Sequence, residues 1–326
     1  MKALFIGLGS AGRRHLRLWR ELVPQGEALA WRSGYGEVLN IPCLRQFSTL
    51  EAALGEGPDF AVVANPTALH LDTALALARS GVPFLLEKPV SDREEGLGEL
   101  VSEVAGRGLS VLVGFQLRHH PAWGQLTSWL AAELVGRPVS VLAEVGQWLP
   151  DWRPQRDYRQ SYSARRVLGG GAIFDLTHEI DLALAVMGAA AEVSCLCGRF
   201  SGLDMDAEDL AEISLRHGER GLSHLHLDCL QRRYSRRFKL IGTEGTVVWD
   251  YGQGWVELLR PGEEPRRVND PPGFSREEMF RRQMAHWLGV LAGEEAPVVS
   301  LEAGVVVSRV ALAAHRSAAE GRVVKP

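Results

Sequence analysis

Lys2-Ala3-Leu4-Phe5-Ile6-Gly7-Leu8-Gly9-Ser10-Ala11-Gly12 is the most informative stretch of this 326-residue chain. An apolar run suited to a strand buried on both faces leads straight into G-x-G-x-x-G, and the glycines open a helical pattern. In that context each glycine has a separate reason to be there. Gly7 permits a tight turn, Gly9 lets backbone amides approach a pyrophosphate, and Gly12 lets helix and strand pack closely. Ser10 and Ala11 stand at the helix N-terminus, where unpaired N–H groups and the macrodipole favour negative charge.

Further along, apolar runs recur at residues 28–31, 60–64, 84–86 and 109–114, with helical stretches between them. In residues 67–80, Leu71, Leu75 and Ala78 fall at helical spacing, and Gly81-Val82-Pro83 ends the pattern. Alternation of this kind predicts stacked βαβ units, that is, a Rossmann-type doubly wound parallel sheet of the α/β class over residues 1–117. After Phe115 the texture changes. A helix is expected over 121–134, then strands at 139–144, 192–197, 210–215, 221–229, 238–241 and 246–249, and a single helix near 172–187. Short turns at 216–221 and 242–245 favour antiparallel pairing. Two helices, 275–291 and 301–319, close the chain. Residues 118–326 thus read as an α+β substrate-binding and oligomerisation domain on a large, open, mostly antiparallel sheet, whose last helix is able to return to the first domain.

Composition narrows the classes. With 46% hydrophobic and 23% charged residues the chain can bury a sizeable core, which excludes global disorder. A formal net charge of −4 recommends neither nucleic acid nor an anionic membrane as a partner. There is no spanning-length apolar segment and no signal-peptide pattern, so a cytoplasmic location is expected. Cys43, Cys195, Cys197 and Cys229 are too few for a disulfide framework and read as reduced thiols.

The choice between NAD and NADP falls at the end of the second strand, where an Asp or Glu would accept bonds from the ribose 2′-hydroxyl. The chain has Trp31-Arg32-Ser33-Gly34 instead. Arg32 can pair with a 2′-phosphate and Ser33 can donate to it, so NADP is favoured over NAD. Glu87-Lys88-Pro89 ends the strand at 84–86, at the sheet edge where ligands of open α/β sheets bind. Only four of the 36 basic residues are lysines, so Lys88 suggests a task arginine cannot perform: an amine loses its proton when desolvated. The second cluster, Gly169-Gly170-Gly171-Ala172-Ile173-Phe174-Asp175-Leu176-Thr177-His178-Glu179-Ile180-Asp181, puts three glycines before a helix. Asp175, His178 and Asp181 are spaced by three, which would set them on one face as a carboxylate-oriented general acid/base.

Together these motifs resemble the glucose–fructose oxidoreductase / inositol dehydrogenase / rhizopine-catabolism (Gfo/Idh/MocA) family over nearly the whole length. The resemblance rests on residues 7–12, Asn65-Pro66 with His70, Glu87-Lys88-Pro89 and residues 169–181. It implies that Lys88 and His178 act on a sugar or polyol hydroxyl beside the nicotinamide, with Asp175 as the helix aspartate. The family more often separates that aspartate and histidine by four residues, not three, and Asp181 is the alternative partner. The same resemblance implies that Asn65 and Pro66 flank the cofactor ribose, with His70 and Glu87 nearby, and that Lys88–Pro89 is cis. Residues 144–159 look like a branch associated with bacterial surface-sugar pathways. Trp152, Tyr158 and Tyr162 could offer aromatic faces, and Arg153, Arg159 and Arg165 guanidinium groups, to an anionic or acylated sugar. Gln116 completes the substrate-side candidates.

His224, His226 and Asp228 share a strand face, and a polar sheet face is the simpler reading than a metal site. Cys195-Leu196-Cys197 reads as strand packing. The expected protein is an NAD(P)-dependent oxidoreductase of sugar-type hydroxyls, a homo-oligomer with no metal, nucleic-acid or membrane partner. The alternatives are an NAD-dependent glycosidase of the same family and a non-catalytic dinucleotide sensor.

Overall fold

Parallel pairing organises the first part of the chain. A computed structural model describes residues 1–32 and 41–326, so Ser33 of the cofactor reading lies outside the described residues. The chain forms two compact units, Met1–Gln116 with Ser275–Val305, and Leu117–Phe274 with Val306–Pro326.

In the first unit, β1 (Lys2–Ile6), β2 (Glu27–Trp31), β3 (Leu44–Phe47), β4 (Phe60–Val63), β5 (Phe84–Leu86) and β6 (Val111–Val113) form one sheet in the order β3-β2-β1-β4-β5-β6. Every pairing in it is parallel. The helices α1 (Ser10–Leu22), α2 (Leu50–Leu54), α3 (His70–Arg79) and α4 (Leu97–Arg107) fall between the strands. Strand order reverses between β1 and β4, and the crevice outside the strand carboxyl ends at such a switch point is where ligands bind in this architecture. β4 and β5 are buried at every position, as strands covered on both faces must be. β3 was not foreseen, because Leu44-Arg45-Gln46-Phe47 is a half-exposed edge strand with no apolar run to announce it.

The second unit holds α5 (Pro121–Ala131), β7 (Pro138–Gly146), α6 (Ala172–Asp175), α7 (His178–Met187), β8 (Glu192–Gly198), β9 (Leu210–Arg216), β10 (Leu222–Asp228), β11 (Ser235–Gly242), β12 (Thr246–Asp250), β13 (Trp255–Leu259) and β14 (Arg266–Asn269). Its eight strands run β14-β13-β12-β11-β7-β10-β9-β8, antiparallel except where β7 meets β10. One side of the sheet is core, with Val141, Leu225, Leu227 and Ile213 buried; Leu142, Leu196 and Leu222 lie exposed on the other.

Two further helices follow, α8 (Arg276–Leu291) and α9 (Leu301–Glu320). α8 belongs to the first unit: Met284, Trp287 and Val290 share a core with Phe5, Trp19 and Phe60. The sequence reading had placed the single boundary at 117, with only the last helix able to return. It is α8 and the segment to Val305 that complete the first core. A second difference concerns the expected helix at 172–187. It is two helices, because Leu176 leaves helical geometry (φ −108°, ψ 34°) between Asp175 and His178.

Candidate active site

At the carboxyl edge of the first sheet, Gly7 follows β1 with φ +82°, a conformation L side chains avoid. A Cβ there would sit 2.7 Å from the Ala64 carbonyl oxygen, and one on Gly12 would overlap the Gly7 carbonyl oxygen. Those two glycines are demanded by the fold itself. Gly9 is not: a Cβ on it would meet nothing within 4 Å. Gly9 caps α1 with no side-chain bond, and the first turn, from Ser10 and Ala11 onward, carries no acidic residue.

Arg32 follows β2 directly, and Asn65 lies just beyond β4. The Asn65 amide donates to Thr73 Oγ1 at 2.9 Å, while its Oδ1 is buried with no hydrogen-bond partner. Pro66 leads into the short turn before α3. His70 is fully buried between two carbonyl oxygens, Pro89 at 2.7 Å and Asn65 at 2.8 Å, and so ties the loops after β4 and β5 together. Burial pushes its pKa down, against the pull of both carbonyls. Lys88 stands between two anchored neighbours. Glu87 bonds His15 Nε2 at 2.7 Å, and Pro89, joined to Lys88 by a cis bond as the family resemblance implied, is held by His70. Burial works against the Glu87 charge. The bond to His15 and the charges of His15 and Lys88 outweigh it and hold the carboxyl below its ordinary value.

In the second unit, Asp175 ends α6 and His178 opens α7, both buried. The break between them means that the one-face spacing argument from sequence does not apply. Asp175 Oδ1 instead accepts a 2.5 Å bond from the Tyr162 hydroxyl. Burial, then the Asp175 charge, raises the Tyr162 pKa well above 10, so the phenol keeps the proton it donates. Asp181, the alternative partner for His178, directs both carboxylate oxygens to Arg118 at 2.7 and 2.9 Å. Glu179 pairs with Arg236 at 2.8 Å.

The loop before the glycines is less open than its composition suggests. The Trp152 indole donates to the Gln147 carbonyl, Tyr158 accepts from the Asp204 N–H, and Arg159 clasps Asp157. Arg165 Nε donates to the Arg159 carbonyl. Arg153 leans over the Tyr162 ring at 5.8 Å, beside the Asp175 contact. Gln116 is buried at the start of a short turn in the first unit. Among the described residues no group of three His, Cys, Asp or Glu is arranged to hold a metal. His224 bonds Ser214, and His226 bridges Glu212 and Asp228.

Residues 1–115 match the family described as oxidoreductase, NAD-binding Rossmann fold, and residues 123–248 match the GFO/IDH/MocA C-terminal domain. The chain belongs to the GFO/IDH/MocA oxidoreductases. It is 25% identical to a levoglucosan dehydrogenase of Pseudarthrobacter phenanthrenivorans over 60% of this chain and 57% of that protein. A 1,5-anhydro-D-fructose reductase of Ensifer adhaerens is 24% identical over 92% of this chain and 87% of its own. A levoglucosan dehydrogenase crystallised with NADH and L-sorbose superposes with a TM-score of 0.88 at 18% identity, covering 100% of this chain and 98% of that one.

A GFO/IDH/MocA oxidoreductase depends on NAD(P), and the residues here fit a dinucleotide. The bare Gly9, the uncapped and acid-free start of α1 and the orphaned Asn65 Oδ1 lie at neighbouring strand ends, where a pyrophosphate and its ribose are held. When bound, the cofactor gives or takes a hydride. Gly7, Gly9, Ser10, Ala11 and Gly12 are the residues that would seat its pyrophosphate. His15, Arg118 and the Tyr162–Asp175 bond are absent from the sequence reading of the catalytic set. The one signal for His15 was its place three residues after Gly12, on the same turn-repeat of α1. Nothing local marks Arg118, which meets a partner 63 residues away.

Proposed function

We propose that this GFO/IDH/MocA member is a sugar dehydrogenase or reductase. It moves a hydride between a nicotinamide ring and a hydroxyl-bearing carbon of a sugar or sugar derivative. Lys88 and His178 handle the hydroxyl proton, and Asp175, hydrogen-bonded by Tyr162, carries the fixed negative charge of the helix pair. The observation that carries this reading is the setting of Lys88. It follows the carboxyl edge of β5, and both of its chain neighbours are clamped by buried histidines. A lysine whose chain neighbours are anchored on both sides at a ligand-binding edge is suited to proton transfer. Relatives named for levoglucosan and for 1,5-anhydro-D-fructose support a sugar-derived substrate. Arg153 beside Tyr162 suits an anionic or acylated one. The sequence Trp31-Arg32-Ser33-Gly34 at the end of β2, with an arginine where an acid would accept the ribose 2′-hydroxyl, favours NADP.

The test is to titrate NAD⁺ and NADP⁺ separately, then screen sugars and nucleotide sugars for absorbance of the reduced cofactor. Tighter NADP⁺ binding that Arg32→Ala abolishes is expected, together with turnover on at least one sugar. Lys88→Ala and His178→Ala should each lower turnover by about 10²–10⁴-fold. The double variant should be scarcely slower than the worse single one, as groups acting in one step are strongly non-additive. Wild-type turnover in both single variants would overturn the assignment.

A further inference from the structure

β7 and β10 run parallel as neighbours, so their carboxyl ends emerge together, and Gly146 at the end of β7 stands opposite both Asp228 of β10 and Ser235 of β11. The next residue of β11, Arg236, pairs with Glu179, which follows His178 in α7. The loops leaving β7 and β10 therefore lie at the same end of this sheet as His178. They are pinned to each other. The Trp148 N–H donates to the Gln231 carbonyl at 2.6 Å and the Leu149 N–H to the Cys229 carbonyl at 3.0 Å. Buried Asp228 ties the turn beyond β10: its Oδ1 accepts the Leu230 and Gln231 N–H groups at 2.6 and 2.9 Å, and its Oδ2 the Gln231 amide at 2.8 Å. A Cβ on Gly146 would lie 2.3 Å from that Oδ2, so the two loops meet closely. On this fixed turn Arg232 lays its guanidinium over the Trp148 indole, 3.6 Å from the ring centroid. Arg232 is exposed and Trp148 half-buried. Arg236 and Arg237 pair with Glu179 and Asp250, whereas Arg232 forms no ion pair among the described residues.

We propose that Arg232, stacked on Trp148, selects an anionic sugar as substrate by binding its carboxylate or phosphate group. The inference rests on the sugar-oxidoreductase reading above and names the substrate class for that site. A guanidinium stacked by its face keeps its in-plane N–H groups free, and their fork matches a carboxylate or phosphate bidentately. A surface arginine ordinarily loses side-chain freedom on taking up a ligand; here the indole and the clamped turn have already ordered it. No hydrogen bond or ion pair among the described residues uses the Arg232 charge, so the fold does not call for a cation at this point. Arg233 beside it is also exposed and adds to the positive potential. Arg153, over the Tyr162 ring, belongs to the loop that continues from Trp148 and supplies a further cation.

The experiment titrates D-glucose, D-glucuronate and D-glucose 1-phosphate by calorimetry into the full-length protein saturated with NAD⁺ or NADP⁺. The sugar ring is kept, and the two charged probes separate a carboxylate source from a phosphate source. At least one of them should bind about tenfold tighter than glucose, as a charge-assisted contact provides. Arg232→Ala should remove that preference while leaving glucose binding within about twofold, and Trp148→Leu should reduce the preference by about threefold. Two results overturn the proposal: neither charged probe is preferred over glucose, or the preference survives Arg232→Ala. Either can arise while Lys88 and His178 remain essential for turnover, so this proposal can fail with the oxidoreductase reading intact. Wild-type turnover in the variants of those two residues would remove the reading itself.

Discussion

His15 illustrates how one side chain can serve both stability and turnover. It is wholly buried, lies on α1 and grips a carboxylate 72 residues away. Replacing it with alanine leaves the Glu87 carboxylate buried and unpaired, a loss of about 3–5 kcal/mol. It also frees the residue next to Lys88. His15→Ala should lower kcat by about ten- to a hundredfold with little change in KM, as expected for a misplaced catalytic group. His15→Gln, which can still donate to Glu87, should recover most of the rate. Equal loss in both would mean that the role is packing alone. His226 offers a different single-residue test. Its bond to Asp228, reinforced by Glu212, raises its pKa to about 9 despite partial burial. A raised histidine stabilises the folded state fully below its unfolded value of about 6.5. That contribution fades as pH climbs through about 9. Urea midpoints should therefore fall between pH 6.5 and 9, and His226→Gln should flatten the fall; parallel curves for the two proteins would refute the linkage.

Among the elements, the α6–α7 break carries the clearest lesson. Asp175-Leu176-Thr177-His178 contains no glycine or proline, so local propensity continues a helix through it. The contacts that bound α6 come from elsewhere. Glu208, from the loop before β9, takes the first amides of α6, and Tyr162 takes the carboxylate at its end. The glycine turn after β1, the strand-end position of Lys88 and the two-sheet architecture were legible in the sequence, because each follows from local periodicity or turn chemistry. The histidine clamps, the pairing of Asp181 with Arg118 and the polar edge strands β3 and β14 were not, because tertiary partners rather than local pattern determine them. Gly171 tests the start of α6 directly. It sits at φ +113°, and a Cβ there would collide with the Glu208 carboxylate. Gly171→Ala should cost about 1–3 kcal/mol in thermal unfolding and lower turnover with it. An unaltered melting curve would show that this start of α6 is not constrained.

For the molecule as a whole, the second sheet leaves Leu142, Leu196 and Leu222 on its exposed side, among Ser194, Ser214 and His224. A homo-oligomer that covers this face is expected, and light scattering at micromolar concentration should give at least a dimer mass. The first unit carries another consequence. Trp287 packs edge-on against Phe60, and α8 closes the core that β1 and β4 begin. A fragment ending at residue 117 should accordingly be insoluble or bind hydrophobic dye, whereas one in which residues 275–305 are fused back should fold. Translation delivers those closing residues only after the sheet of the second unit has been made. For on the order of ten seconds the nascent N-terminal sheet waits on the ribosome with aromatic surface uncovered while the intervening lobe is made, a window in which chaperones would find it.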